Sequence, residues 1–432
     1  MVDTVEVAVV GAGMFGSAAA KYLSRAGFEV LVIGPAEPAP GAASDRYAFG
    51  AHFDAARITR RLGWDEVWGA TDSRSQERFR SIEDESGVPF FHDCGSLILM
   101  AKSIGHRTDA IVHQSAAKHI NVDRLTADEL RDHLPDLGLP PLEGGVEGLL
   151  ERRDAGYLNP RRLVQAQLTL AARAGGRLRR AAVVGMRKDT ATGMWHLDVR
   201  GDGGPGVVRA RKVVVATGAF TNHNGALPPG RRLALRAFSE PNLLFEVTGE
   251  LLERLRRLPT IVTVDPVDNG DANLTLYLLP PVRYPDGRWY LRVGPGMQPM
   301  VHELHTVEDM VAWYAGQRVT SEQHKILSAM MHMLVPSLEP VSVRQACCII
   351  EKTPSRYPYI GHLDGDESIT VAVGGNGHGA RGSDEIGRLA ANLVIGKPWD
   401  FPIPQDVFKP LLEHPHEGEG RPDFLRPPFG LC

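Results

Sequence analysis

The chain opens on a short apolar run, VEVAVV from Val5 to Val10, followed by GAGMFG and then SAAAKYLSRAG, which has helix-forming composition and a stop at Gly27. FEVLVIG follows as a second run of buried type. Strand, glycine turn, helix and strand in this order make a βαβ unit, which starts a parallel sheet.

From Arg57 to Gly87 the polar and apolar positions predict helix, broken near Gly63 and Gly69, and FFHDCGSLILM reads as strand. PRRLVQAQLTLAARA, Pro160 to Ala174, is an amphipathic helix with Asn159 as N-cap, proline at its first position and Gly175-Gly176 as the stop. LRRAAVVGMRKD, MWHLDVRG and RKVVVATGAF then read as three strands with short turns. Between about Gly225 and Val341 prolines become frequent, and TLYLLPPVRYPDGRWYLRVG forms a hairpin around PDG, so this stretch reads as a mixed, largely antiparallel unit. SITVAVGGNGHGARGSDEIGRLAANLVIG repeats the strand, glycine turn and helix of the N-terminus.

The pattern therefore predicts an α/β fold. A Rossmann-type nucleotide-binding domain is assembled from residues 1–90, 150–224 and 342–400. An α+β domain with a mostly antiparallel sheet comprises 91–149 and 225–341. A tail, 401–432, wraps over the surface, and EHPHEGEGRPD within it has the composition of a disordered segment.

Composition narrows the class. The chain has 432 residues, 43% hydrophobic and 23% charged, with a formal net charge of −4, and no apolar run reaches the roughly 20 residues a membrane helix requires. This balance suggests neither nucleic acid nor a membrane as partner. Four cysteines, Cys94, Cys347, Cys348 and Cys432, do not resemble a disulfide framework, and the N-terminus lacks the pattern of a secretory signal, so a cytoplasmic location is expected. The histidines and cysteines have no paired metal-ligand spacing, and no G-x-S-x-G nucleophile elbow is present.

Gly11, Gly13 and Gly16 form G-x-G-x-x-G between a strand and a helix, the arrangement that lets a pyrophosphate approach backbone and helix N-terminus. The acid expected some 20 residues further on, to hold the ribose, is missing at Gly34; Glu37 in GPAEP is either its replacement or a solvated loop charge. The second turn, GGNGHGARG from Gly374 to Gly382, sits at the end of another strand and would aim amide groups at a cofactor ring, which suits a reduced flavin.

With GAGMFG, HFDAARITR, VVVATGAFTN, CCIIEKTPSRYPYIG and GGNGHGAR in hand, the chain resembles the FAD-dependent amine and amino-acid oxidases of the D-amino-acid oxidase superfamily, and most closely the branch of monomeric sarcosine oxidase and glycine oxidase. The resemblance implies FAD as cofactor, a small amine or amino acid as substrate, and hydride transfer from a C–H beside nitrogen to flavin N5. The imine is then hydrolysed, and oxygen reoxidises the flavin to give hydrogen peroxide. It also implies cofactor contacts at Gly11, Gly13, Gly16, Thr217, Gly218, Gly375, Gly377, His378 and Gly379, with Glu37 a ribose contact only if it replaces the missing acid.

Further roles follow by the same resemblance. Arg57 matches an arginine lying over the flavin, and Arg60, three residues on, one that holds the substrate carboxylate; the same pair also fits a charged turn of a helix facing solvent. Arg381 stands where the branch has a carboxylate-binding lysine, and arginine suits that role. Arg292 stands where the branch uses a lysine to promote reaction with oxygen, which opens a dehydrogenase passing electrons to another carrier as the alternative. A pocket histidine falls on Gly296 and a pocket tyrosine on Ile350, changes that favour a substrate larger than sarcosine. His52 lies one residue off the register of a family histidine. Cys348 is in register with a cysteine that carries flavin covalently in this branch, and the alternative is a packed thiol beside non-covalent FAD. Cys347 would face the opposite side of the strand.

Overall fold

The computed structural model describes residues 3–37, 49–201, 204–223, 225–264, 275–295, 301–316 and 319–413. The first sheet is built on the predicted βαβ unit: Asp3–Val10, helix Met14–Arg25 and Val30–Ile33. Asp3–Val10 pairs in parallel with Val30–Ile33 on one side and with the long strand Gly204–Val215 on the other. Arg177–Arg179 and Asp366–Val373 extend the parallel order at its two ends. Tyr359–Leu363, Ala181–Lys188 and Trp195–Gly201 add antiparallel neighbours, completing eight strands. The apolar runs are buried on both faces, as parallel strands covered by helices require.

A second, nine-stranded sheet holds Arg236–Glu246, Thr260–Val264, Leu276–Arg283, Trp289–Pro295 and Ser96–Ala101 among others, mostly antiparallel. The α/β class and the discontinuous Rossmann-type unit are thus as expected. One strand departs from the expected partition. Val343–Lys352, assigned by sequence to 342–400 and hence to the first unit, pairs antiparallel along its whole length with Arg236–Glu246 in the second sheet. It then runs through the Thr353–Pro358 turn into Tyr359–Leu363 of the first sheet.

Two local expectations are corrected. Gly69 does not break a helix: it lies inside Glu66–Gln76, whose N-cap Asp65 accepts from the Trp68 amide, and the break falls before the helix Phe79–Ser86. Arg57 is on a short strand, Arg57–Thr59, not a helix. The beginning of the tail is part of the core, since Phe401 and Phe408 are buried against Val67, Trp68 and Leu389. The remainder of EHPHEGEGRPD after Glu413, together with Gly296 and Cys432, lies outside the described residues. Among the described residues, no helix is long and apolar enough to cross a membrane.

The helix carrying the first glycine turn is held from below by one carboxylate. Asp384, fully buried at the start of helix Ser383–Ile395, accepts from Lys21 Nζ (2.7 Å), Gln167 Nε2 (2.8 Å), Tyr22 Oη (2.8 Å) and Arg78 Nε (2.6 Å). Burial alone would raise its pKa, but Lys21 and Arg78 hold it well below the usual carboxylate range. The two helices also touch closely, because a Cβ on Gly387 would lie 2.4 Å from Cβ of Ala18.

Candidate active site

A long cavity runs from the first glycine turn, past Thr217 and Gly218, to a wall built by the second sheet and the Gly375–Arg381 loop. It encloses about 1810 Å³ including its mouth. At one end the backbone is shaped for a close approach. Gly11 has φ +110°, and a Cβ there would fall 2.2 Å from the Ala216 carbonyl oxygen; a Cβ on Gly16 would fall 1.9 Å from the Gly11 oxygen. Around Gly13, by contrast, a Cβ would meet nothing nearer than His52 at 3.7 Å. Gly13 caps the helix without a side-chain bond and its first turn carries no acid, so the amides are left for a phosphate. The residues present therefore fit the pyrophosphate of FAD.

Glu37 does not offer a free carboxylate at the adenosine end. Arg161 grips it in a fork, Nε at 2.9 and 2.8 Å from its two oxygens and Nη2 at 2.5 Å. His52 lines the cavity beside this region, and burial, with Arg161, Arg180 and Arg57 nearby, pushes its pKa down to about 3.

The far wall is an ionic network. Asp54 is the shared partner of Arg57 and Arg292. Burial would raise its pKa, yet the two guanidinium groups hold it well below the ordinary value. Arg292, 2% exposed, also donates to Asn242 Oδ1 (3.0 Å) and Tyr277 Oη (3.1 Å), and Tyr277 donates to Glu240 (2.6 Å). Arg57 Nη2 points at Cys348 Sγ, 3.3 Å away. Cys348 faces the cavity, while Cys347 faces the opposite way and packs by the Trp313 carbonyl (3.4 Å). Burial pushes the Cys348 thiol up despite the opposing influence of Arg57. Ile350 lines the same cavity.

The second glycine turn is present but partly occupied. Gly374 and Gly375 both donate to Glu351 Oε1 at 2.9 Å, so two of its amides serve this chain's own carboxylate. Gly377 takes φ +87°, and His378, Gly379 and Arg381 complete the lining. His378 stacks on Trp68 with ring centroids 4.9 Å apart and accepts from Arg381 through Nδ1. Burial first, then Arg381 and Arg60, drive the histidine well below its normal pKa, so it is neutral.

Arg60 is the clearest displacement from expectation. It is buried at 3% exposure and directed to the Leu62 carbonyl, and it is not among the residues lining the cavity. Arg57 sits on the strand Arg57–Thr59, whereas Arg60 lies just past its end, where the chain turns to bring its guanidinium to the Leu62 carbonyl. The structure brings Arg57, Arg292, Cys348 and Arg381 to one cavity as expected, and adds Glu240, Tyr277 and Glu351 to its lining and Asp54 beside Arg57, which the sequence does not single out. Asp54 and Glu351 are readable only as letters inside HFDAARITR and CCIIEKTPSRYPYIG; Glu240 and Tyr277 give no local signal.

Residues 6–393 match the model of the family described as FAD dependent oxidoreductase. The N-methyl-L-tryptophan oxidase of Citrobacter koseri is 22% identical over 393 residues, covering 91% of this chain and 95% of that protein. The monomeric sarcosine oxidase of Streptomyces avermitilis is 22% identical over 413 residues, with 93% and 97% covered. The L-proline dehydrogenase of P. horikoshii shares the fold with a TM-score of 0.71 at 18% identity, covering 95% of this chain and 97% of that one.

Proposed function

Because the chain belongs to the family of FAD-dependent oxidoreductases, and fits its sarcosine and glycine oxidase branch, we propose that it oxidises the C–N bond of a primary or secondary amine or amino acid. The observation that carries this reading is the single cavity joining the pyrophosphate turn at Gly11–Gly16 to the wall of Arg57, Arg292, Cys348 and Arg381. When bound, FAD would supply the hydride acceptor for the C–H beside nitrogen, leaving an imine for water to hydrolyse, and the reduced flavin would give its two electrons to oxygen, forming hydrogen peroxide. Gly11, Gly13, Gly16, Thr217, Gly218, Gly375, Gly377, His378 and Gly379 hold the cofactor. Arg57 and Arg292, charge-compensated by Asp54, give that wall fixed donors that need no rearrangement. Arg381 is the cavity-facing arginine left to anchor a substrate carboxylate, since Arg60 is turned away. No dedicated base is required if the amine enters unprotonated, so positioning is the main task of these residues.

The test is an anaerobic titration of the purified flavoprotein with primary and secondary amino acids and uncharged amines, followed by flavin bleaching. Bleaching by carboxylated amines supports the reading, and no bleaching by any amine removes it. Electron transfer to a carrier other than oxygen is the second reading, favoured by Arg292 standing where the branch has lysine. Substrate-dependent dye reduction with little peroxide identifies it. Cys348, which lines the cavity, is proposed as the sulfur of a flavin tether, against a packed thiol beside non-covalent FAD; colour that stays with the acid-denatured pellet supports the tether, and colour in the supernatant removes it.

A further inference from the structure

The anchoring arginine is already paired inside the protein. Arg381 lines the cavity, yet its Nε lies 2.7 Å from Asp72 Oδ2, and both side chains are almost fully buried, at 7% and 4% exposure. The pair is imperfect. The Nε–H is not directed along the line to the carboxylate, and Asp72 Oδ1 has no hydrogen-bond donor, so one buried oxygen is left unsatisfied. Asp72 projects from the helix Glu66–Gln76, and the chain opposite it makes room, since a Cβ on Gly382 would lie 2.9 Å from Thr71 Oγ1 and 3.2 Å from Asp72 Oδ1.

We propose that Asp72 is a specificity-determining residue that competes with the substrate's carboxylate for Arg381, so that an anionic substrate binds tightly only while Asp72 is protonated. The proposal rests on the reading of Arg381 as the substrate anchor. An ionised Asp72 satisfies the guanidinium from behind and adds a like charge to the one arriving from the cavity. A neutral Asp72 leaves the full cationic charge for the ligand.

The surroundings place this exchange near neutrality. Burial pushes the Asp72 pKa up to about 7, against the opposing pull of Arg381 and Arg60. Asp65, at the N-cap of the same helix, and Glu151, from the strand Val146–Glu151, push it the same way as burial. His378, from the Arg381 loop, is neutral in this range, and Lys352 acts on that histidine. If only the protonated form admits the anion, the apparent dissociation constant scales with the inverse of the protonated fraction, which makes binding about 30-fold weaker at pH 8.5 than at pH 6.

The experiment is calorimetric titration of the FAD-loaded protein with phenylacetate, with 2-phenylethanol as the uncharged control, at pH 6 and 8.5. Wild type is expected to lose about 30-fold in phenylacetate affinity between these values, and Asp72→Asn to bind equally well at both. Wild-type binding that is flat with pH but abolished by Arg381→Gln overturns the role of Asp72 and leaves Arg381 as the anchor. Phenylacetate binding that does not differ from the alcohol's in any form overturns the anchor and the competition together. The wild-type profile alone decides between the first and second results should the Asp72 variant not fold.

Discussion

Replacing Asp384 by asparagine removes one negative charge from a site where four donors converge: Lys21, Gln167, Tyr22 and Arg78. Arg78 keeps a second partner, because its Nη2 also reaches Glu385 at 2.5 Å. Lys21 has no other ion pair among those found in the described residues and is 1% exposed, so its ammonium is left buried and uncompensated. Breaking a buried pair in this way costs about 3 to 5 kcal/mol, and the remaining partner of Arg78 favours the lower end, about 3 kcal/mol. Urea unfolding followed by circular dichroism measures the loss. The pH dependence has two arms. Asp384 is held below its unfolded pKa, so its stabilisation is present above about pH 4 and is lost as the pH falls, and the gap between wild type and variant narrows in acid. Burial already lowers the Lys21 pKa with Asp384 in place. Without the carboxylate it falls further, so the variant regains stability as the pH rises towards 9. A loss below about 1 kcal/mol at pH 7, or a loss that does not change with pH, would refute the assignment of the cost to a stranded Lys21 charge.

Two other substitutions read out neighbouring parts of the molecule. Gly16→Ala puts a Cβ 1.9 Å from the Gly11 carbonyl; the turn must open, and the purified protein is expected to carry little flavin, measured by visible absorbance, so full loading would contradict the role given to this turn. Tyr277→Phe removes the donor to Glu240 and a partner of Arg292, which should cost about 1 to 3 kcal/mol in urea unfolding, whereas an unchanged midpoint would show that the buried network rearranges freely.

What was legible in the sequence is what is set within a few residues. The turn at Gly11–Gly16 and the Asn159 cap with Pro160 behind it depend on local backbone geometry, and each is found where the letters put it. Arg57 and Arg60 show the limit. Their spacing is compatible with a helix face or with extended chain, and only the pairing of Arg57–Thr59 with Gly156–Leu158 decides which. The wall of the site was less legible still, because its partners are remote: Arg57 meets Cys348 across 291 positions, and Arg292 and Asp54 are 238 apart. Asp72 reads as one more polar letter in DSRSQERFR until the fold buries it beside Arg381. The helical pattern there matches the helix Glu66–Gln76, and Gly69 does not end it because a single glycine is tolerated inside a helix packed on its neighbours.

The strand Val343–Lys352 belongs by hydrogen bonding to one sheet and by chain continuity to the other. Cys348 and Glu351 are on it, the first facing Arg57 and the second fastened to Gly374 and Gly375. Nothing in this stretch can serve as a hinge, since a strand bonded along ten positions has no free dihedral to spend. Both sheets line the cavity, Ala216 from the end of one and Leu279, Arg292 and Cys348 from the other, so a ligand that fills it is bound by both. Loss of flavin should consequently lower the resistance of the whole chain to unfolding, through mass action on one shared folded state, and not merely loosen the glycine turn that touches it.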